Sequence, residues 1–283
     1  MKRLSALFAL TSFFLFSCEE EQLPILTEEP LPPLYDTTYV NTTPSAGQDK
    51  IVLFEEFTGV RCPTCPNGHI AIKNMQSNFP GRIVAIGIHD SSEFNLATPF
   101  LGEENFNTLW GRSIFTVITK PNGIPYGIAD RLNGSNTTSQ WEANATQQMG
   151  QTTLANAEAK ILNYDPAIRE IRFEVKFEIT SDINLPLFFS TVITEDSLIG
   201  KQEYTSAPGG FVEDYVHFHV LRDMPHFKVN LNPQNEPAAT KGRVFLRQYA
   251  YILPENWKAE NCRLIAYIHK DVEILQAVEI HIQ

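Results

Sequence analysis

Residues 52–65 read VLFEEFTGVRCPTC, an apolar run followed by two closely spaced cysteines. The apolar run predicts a buried β-strand that ends near Phe57, and residues 58–61 predict a turn. The residues after Cys62 have the periodicity of a helix. The sequence therefore places Cys62 and Cys65 where a strand turns into a helix.

The helix is expected over residues 63–78. Its buried face is predicted from residues that recur at helical spacing: Cys65, Gly68, Ile72, Met75 and Phe79. Proline at positions 63 and 66 is compatible with the first turn, where backbone amides have no intrahelical acceptor. Residues 82–88 (RIVAIGI) predict a second buried strand. A strand, a helix and a strand in this order favour a right-handed parallel crossover.

The spacing of the two cysteines indicates redox chemistry. Cys62 is expected at the helix N-terminus, where free amides and the helix dipole favour a thiolate. Cys65, one turn further, can reach back to form a disulfide with Cys62. We therefore expect Cys62 to be the exposed nucleophile and Cys65 to be the resolving thiol.

The stretch 52–65 resembles the thioredoxin superfamily. More closely, it resembles the outer membrane protein twenty-eight family, and residues 215–222 (YVHFHVLR) also resemble that family. The resemblance implies a lipoprotein with a thioredoxin-like domain followed by a β-rich domain.

The resemblance also implies roles for three further residues. Pro125 matches the cis-proline that faces the cysteine pair, with an ordinary turn proline as the alternative, and Ile124 would pair with an incoming extended peptide. Glu56 matches a buried carboxylate that takes a proton from Cys65 during exchange; a surface glutamate is the alternative. The chain departs from the pattern in two places: Arg61 replaces the usual aromatic residue, and the hairpin strand expected after residues 126–130 is not evident.

The pattern of the chain changes after about residue 152. Residues 170–179 alternate between charged and apolar side chains, as in a strand with one solvated face. Further strands are expected at 155–162, 187–194, 212–221, 226–231, 244–252, 263–269 and 273–282, which suggests an antiparallel sandwich. The predicted fold class is an α/β thioredoxin-like domain (50–151) followed by an all-β antiparallel, Ig-like sandwich (152–283).

The N-terminal residues predict export and lipid attachment. Residues 1–17 have a basic start and an apolar stretch too short to span a bilayer, as in a signal peptide. The stretch ends Leu15-Phe16-Ser17-Cys18, which resembles a bacterial lipobox and makes Cys18 the expected lipidated residue; an ordinary signal peptide is the alternative. Residues 18–49 are acidic and proline-containing and predict a tether. The expected location is the outer membrane, lipid-anchored, facing the periplasm or the cell surface.

Composition limits the partners. Among 283 residues there are 22 Lys and Arg against 33 Asp and Glu, a net charge of −11. Such a chain repels phosphate backbones, so we expect no nucleic-acid partner. The expected partners are the thiols and disulfides of exported proteins, together with the membrane through Cys18. Cys262 is expected to be a buried free thiol.

No cofactor or metal is expected. His69 is the nearest candidate zinc ligand to the cysteine pair, but the sequence has no second CxxC motif. Covalent haem needs a histidine where Pro66 stands. His217 and His219 would share one face of a strand, with His226 or Asp214 as a possible third ligand, although structural histidines are the preferred interpretation.

The sequence is compatible with two functions. The first is thiol–disulfide exchange on exported proteins. The second is a non-catalytic surface lipoprotein for binding or adhesion, in which Cys62–Cys65 is a structural disulfide. The short gap between the cysteines favours exchange, because structural disulfides usually close longer loops.

Overall fold

A computed structural model describes residues 31–90, 92 and 94–283. The predicted signal peptide and Cys18 lie outside these residues. The strands are β1 (Tyr35–Val40), β2 (Val52–Thr58), β3 (Ile83–His89), β4 (Tyr126–Ala129), β5 (Leu132–Ser135), β6 (Ala155–Asp165), β7 (Glu170–Ile179), β8 (Phe188–Glu195), β9 (Leu198–Glu203), β10 (Phe211–His217), β11 (Val220–Asn230), β12 (Arg243–Ile252), β13 (Cys262–Lys270) and β14 (Glu273–His281). The helices are α1 (Cys65–Asn78), α2 (Leu109–Ser113), which continues into a π-helical turn at Ile114–Thr119, and α3 (Trp141–Met149).

The predicted strand–helix–strand unit is confirmed. Strands β2 and β3 pair in parallel, from Val52 opposite Ile83 to Thr58 opposite His89. Both strands are buried along their whole length, which explains their continuous apolar runs. Helix α1 packs with α3 over one face of these strands, around Phe54, Ile72 and Trp141.

A short hairpin, β4–β5, lies next to β2 in the sheet. The sequence did not predict the second strand of this hairpin. Strand β4 pairs antiparallel with β2, and β5 pairs with β4. The turn between them is Asp130-Arg131, and both residues have positive φ angles (50° and 61°). Such turns usually contain Asn-Gly. Here buried ion pairs hold the turn: Asp130 with Lys50 at 2.9 Å, and Arg131 with Glu55 at 2.7 Å.

The predicted fold class, an α/β thioredoxin-like domain followed by a separate sandwich, is wrong. Strand makes up 45% of the structure and helix 18%. One eight-stranded mixed sheet runs through both predicted halves in the order β14-β13-β8-β11-β3-β2-β4-β5. The two halves join where Val220 of β11 pairs with Gly87 of β3.

The strand residue at this junction is a glycine, Gly87. The Gly87 amide donates to the carbonyl of His219 at 2.7 Å. A Cβ at position 87 would lie 3.4 Å from that carbonyl oxygen, at the short limit of ordinary van der Waals contact. A glycine inside a strand often marks such a close backbone approach.

The hydrophobic core is likewise shared between the predicted halves. One cluster combines Leu53, Ile86 and Phe115 from the first half with Val192, Leu221 and Ile265 from the second. The physical reason for the wrong fold class is therefore that the β-rich half completes the sheet and core of the first half.

A four-stranded sheet packs against one face of the eight-stranded sheet. Its order is β1-β12-β7-β6, and its residues Phe173, Phe177 and Tyr249 share a core with Phe189 of β8 and Leu264 of β13. The sandwich packing is present, but one of its layers is the large shared sheet. Strand β1 comes from the predicted tether and pairs with β12.

Candidate functional site

Cys62 and Cys65 are joined by a disulfide, with Cα atoms 5.3 Å apart. This confirms the predicted pairing. Helix α1 begins at Cys65, with Thr64 as its N-cap residue. Cys62 lies in the preceding turn, where its amide donates to the Gly59 carbonyl at 3.0 Å. The hydroxyl of Thr64 lies 3.8 Å from the Cys62 sulfur and could donate to it once the disulfide is reduced.

The expected exposure of Cys62 is wrong for this oxidised structure, because only 1% of Cys62 and none of Cys65 is exposed. Part of the cover is the β9–β10 hairpin (residues 198–217). Its Glu203 amide donates to the Val60 carbonyl at 2.8 Å, and its Thr205 amide donates to the Pro63 carbonyl at 2.9 Å. The hairpin thus binds the backbone on both sides of Cys62.

Gln202 strengthens this contact from inside the hairpin. Its side chain is completely buried. Its Nε2 lies 3.2 Å from the carbonyl oxygen of Gly59 and 3.1 Å from that of Cys62. Each of these carbonyls also accepts a backbone amide, that of Cys62 or of Cys65, so Gln202 supplies a second hydrogen bond to buried groups that have no access to water.

Arg61, at the position where the superfamily usually has an aromatic residue, fastens a second covering segment. Its amide donates to the carbonyl of Leu96 at 2.8 Å. Its guanidinium donates to the carbonyls of Thr98 (2.9 Å) and Pro99 (3.1 Å), and it lies 4.1 Å from the centre of the Phe100 ring. The segment 94–107 is therefore held against the turn that carries the disulfide.

Pro125 lies at the same end of the sheet. The Ile124–Pro125 peptide bond is cis, as expected. Because Tyr126 is opposite Phe57 in the β4–β2 pairing, Pro125 lies beside the carboxyl end of β2, where the cysteine turn begins. Pro125 is buried and Ile124 is half-buried. Pairing of Ile124 with a substrate peptide stays a prediction.

Glu56 is a buried side chain, not a surface glutamate: it is 2% exposed. It lies beneath α1, where Gly68 has no side chain and leaves the space that the Glu56 carboxyl occupies. Gly68 follows Cys65 by about one helical turn. Burial raises the pKa of Glu56 well above its ordinary value, because a low-dielectric environment disfavours the charged carboxylate.

Three histidines form a cluster that the sequence did not reveal, and one of them, His69, has its Nε2 3.7 Å from Oε1 of Glu56. His69 on α1 has its Nε2 3.0 Å from the Thr58 hydroxyl and its Nδ1 2.6 Å from the Tyr215 hydroxyl. The His217 ring lies 6.4 Å from His69 and 6.0 Å from His89, centre to centre. Burial lowers the pKa of His69 to about 3 and that of His217 to about 4, so these rings are neutral at physiological pH.

The expected face shared by His217 and His219 does not exist. The strand predicted at 212–221 is broken into β10 and β11, and His219 has a positive φ of 57° between them. His226 lies elsewhere, in the sandwich core, with its ring 3.8 Å from that of Tyr249. Within residues 31–90, 92 and 94–283, no group of three or more His, Cys, Asp and Glu side chains is arranged to hold a metal ion.

Cys262 is buried and free, as expected, among the cysteines that the structure describes. Burial raises its pKa to about 12. In the same part of the chain, no helix combines the length and the apolar character needed to cross a membrane.

The comparisons with known proteins bear on the fold alone. No protein-family model and no curated protein matches the sequence. The chain is similar in structure to HBP35 of Porphyromonas gingivalis, with a TM-score of 0.64, 17% sequence identity, and coverage of 84% of this chain and 77% of that one. A structural-genomics protein of Agrobacterium tumefaciens has a TM-score of 0.49 and 13% identity, covering 83% of this chain and 96% of that one.

Proposed function

We propose that Cys62 and Cys65 carry out thiol–disulfide exchange on exported proteins. The observation that carries the proposal is the placement of the disulfide directly before α1, with the Glu56 carboxyl, whose pKa burial raises, beneath the same helix. This placement resembles the thioredoxin-like pattern, in which the helix start favours a Cys62 thiolate. The sequence resemblance to the outer membrane protein twenty-eight family supports the same proposal.

The proposed exchange proceeds through a mixed disulfide between the substrate and Cys62. A substrate thiolate attacks the Cys62 sulfur, a new disulfide forms between substrate and Cys62, and the Cys62–Cys65 bond breaks. The released Cys65 thiolate takes the proton of Glu56. A second substrate thiolate then attacks the substrate sulfur and releases Cys62. The substrate dithiol is oxidised to a disulfide and Cys62–Cys65 is reduced to a dithiol; the reverse sequence reduces a substrate, and Glu56 then takes the proton back.

The Cys65→Ala variant tests the proposal. Without the resolving thiol, mixed disulfides between Cys62 and exported proteins should accumulate. The matched Cys62→Ala variant should trap few or none, because Cys65 lies on the buried face of α1. The measurement is non-reducing electrophoresis after acid quenching, followed by identification of the trapped proteins.

A second function is favoured by one observation, the burial of both cysteines. A disulfide that substrates never reach would be structural, and the protein would then be a non-catalytic binding or adhesion lipoprotein. Structural disulfides in secreted proteins typically have reduction potentials below about −300 mV. A potential in that range, with no trapping by Cys65→Ala, would decide for this second function.

We further propose that the protein is a lipoprotein anchored in the outer membrane through Cys18. The support is the Leu15-Phe16-Ser17-Cys18 sequence after a short apolar stretch. Changing Cys18→Ser should move the protein from the membrane pellet to the soluble fraction, because a lipid anchor needs this cysteine. The control is Ser17→Ala, which keeps a small residue before Cys18. Equal membrane retention of Cys18→Ser and the unchanged protein would contradict the anchor.

A further inference from the structure

A cavity of about 560 Å³ opens between α1 and β10. We call it the α1–β10 cavity. Its wall on the helix side includes Ile70 and Ile72, and its wall on the strand side includes Val216 and Phe218. The size is that of a small-molecule site, which is typically about 300–1,000 Å³.

Aromatic and apolar groups surround the mouth of this cavity. Ile70, Val216 and Phe218 are all exposed, although the side chains are large and apolar. The rings of His69, Tyr215 and His219 line the cavity further in. Exposed apolar side chains that rim a concave site usually mark a binding surface, and aromatic walls favour a flat ring.

The inner end of the cavity includes an unsatisfied polar group. Glu56 lines it, and its Oε1 is buried without a hydrogen-bond partner among the described residues. Burial raises the pKa of this carboxyl and so favours its neutral form, which has both a hydrogen-bond donor and an acceptor. Buried polar atoms are rarely left unpaired, which points to a partner that enters from outside.

Two charged residues that line the cavity, Arg263 and Asp196, are already paired with each other. Arg263 donates to Asp196 at 2.6 Å and to Glu279 at 3.1 Å. An anionic ligand would therefore meet a guanidinium that two carboxylates neutralise. A cationic ligand would meet an Asp196 that Arg263 already occupies and a Glu56 whose raised pKa disfavours the charged carboxylate. The remaining lining charge, Lys73, is exposed at the rim.

We propose that the α1–β10 cavity binds an uncharged aromatic alcohol, whose ring packs against Phe218 and Val216 and whose hydroxyl hydrogen-bonds to Glu56. This site is distinct from the disulfide, and its ligand does not depend on thiol chemistry.

The test compares three probes with the same ring system: 2-naphthol, 2-methylnaphthalene and naphthalene-2-sulfonate. Equilibrium dialysis with the purified protein at neutral pH should show binding of 2-naphthol about tenfold tighter than that of 2-methylnaphthalene, because a site built to hydrogen-bond a hydroxyl rejects an analogue without one. The sulfonate should bind most weakly. Binding should be the same after Cys65→Ala, which separates this proposal from the exchange reaction.

Variants of the cavity complete the test. Glu56→Leu should remove the preference for 2-naphthol, whereas Glu56→Gln, which keeps a donor and an acceptor, should retain it. Phe218→Ala should weaken 2-naphthol binding at least threefold, and it tests the site even if Glu56→Leu fails to fold. Phe211→Ala is its control, since Phe211 is a phenylalanine on β10, the strand that ends directly before Phe218, and is outside the cavity lining.

Three outcomes would overturn the proposal. The first is that none of the probes binds. The second is that the sulfonate or 2-methylnaphthalene binds as tightly as 2-naphthol. The third is that Phe218→Ala has no more effect than Phe211→Ala.

Discussion

Replacing Arg131 with methionine should lower the free energy of unfolding by about 3–5 kcal/mol. Two Arg131 nitrogens donate to the Glu55 carboxylate at 3.0 and 2.7 Å, and one also donates to the Tyr267 hydroxyl at 3.0 Å. All three side chains are buried. Burial alone would lower the pKa of Arg131, but the charge of Glu55 outweighs it and raises that pKa, so the guanidinium stays ionised. The variant leaves the Glu55 charge buried and unpaired. Urea unfolding followed by circular dichroism measures the loss.

The double variant Glu55→Leu/Arg131→Met is the decisive control. Removing both charges of a buried pair is often nearly neutral, because their desolvation cost disappears with them. We therefore expect it to recover most of the stability lost in Arg131→Met. A surface comparison is Arg172→Met, which breaks an exposed pair with Glu170 and should change stability by less than about 1 kcal/mol. If Arg131→Met lowered the free energy of unfolding by less than about 1 kcal/mol, this would contradict the stabilising role of the buried Arg131–Glu55 pair.

This buried pair also matters for the architecture. Glu55 lies on β2, Arg131 on the β4–β5 turn and Tyr267 on β13, so the contacts join the two halves that the sequence had divided. If one shared sheet joins the two halves, loss of the buried pair should lower the stability of both halves in a single unfolding step. The unfolding transition of Arg131→Met should then remain single when followed by different probes.

The sequence predicted the local parts of the site correctly. The disulfide follows from the spacing of Cys62 and Cys65, and α1 and β3 follow from helical and apolar periodicity. These features depend on neighbours within one turn or one strand. The cis peptide bond at Pro125 was expected from the family resemblance and not from periodicity.

The joining of the two halves could not be predicted in this way. The junction is a single pairing of Val220 with Gly87, residues far apart in sequence. Apolar periodicity predicts that each strand has neighbours but does not say which ones. One signal was present: the glycine inside the run 82–88 was consistent with a close backbone approach, although it did not identify the strand that approaches.

The burial of Cys62 was missed for a related reason. Its position before a helix predicts a favourable thiolate, but exposure depends on what packs over it. The covering residue Gln202 is polar, and its partners are backbone carbonyls of Gly59 and Cys62. Hydrogen bonds from a side chain to distant backbone carbonyls leave no pattern in the sequence. They can be recognised only from the three-dimensional position of the β9–β10 hairpin.

The second large effect is expected on the rate of disulfide reduction, when the contact between the β9–β10 hairpin and the cysteine turn is weakened. Gln202→Leu should make reduction of the Cys62–Cys65 disulfide by dithiothreitol about thirtyfold faster. The variant keeps the bulk of the side chain but removes the hydrogen bonds to two buried carbonyls. A net loss of about 1 kcal/mol for each bond lowers the cost of opening the β9–β10 hairpin by about 2 kcal/mol, and a factor of ten corresponds to about 1.4 kcal/mol.

The rate follows the open population if the hairpin opens and closes faster than the reductant attacks. Quenched thiol labelling at several times measures the rate, and its linear dependence on dithiothreitol concentration verifies that regime. The matched control is Glu213→Gln on the same hairpin, which breaks only an exposed pair with Lys201. Exposed pairs contribute little to stability, so this variant should keep the original rate.

The outcome also separates the two proposed functions. An exchange site needs access to Cys62, so a hairpin that controls access should also control trapping: Gln202→Leu combined with Cys65→Ala should raise the yield of mixed disulfides with exported proteins. A structural disulfide should be reduced faster in Gln202→Leu yet still trap nothing. If the reduction rate does not change, the hairpin is not the barrier. The 94–107 segment, held by Arg61 on the other side of the turn, would then be the part that must move.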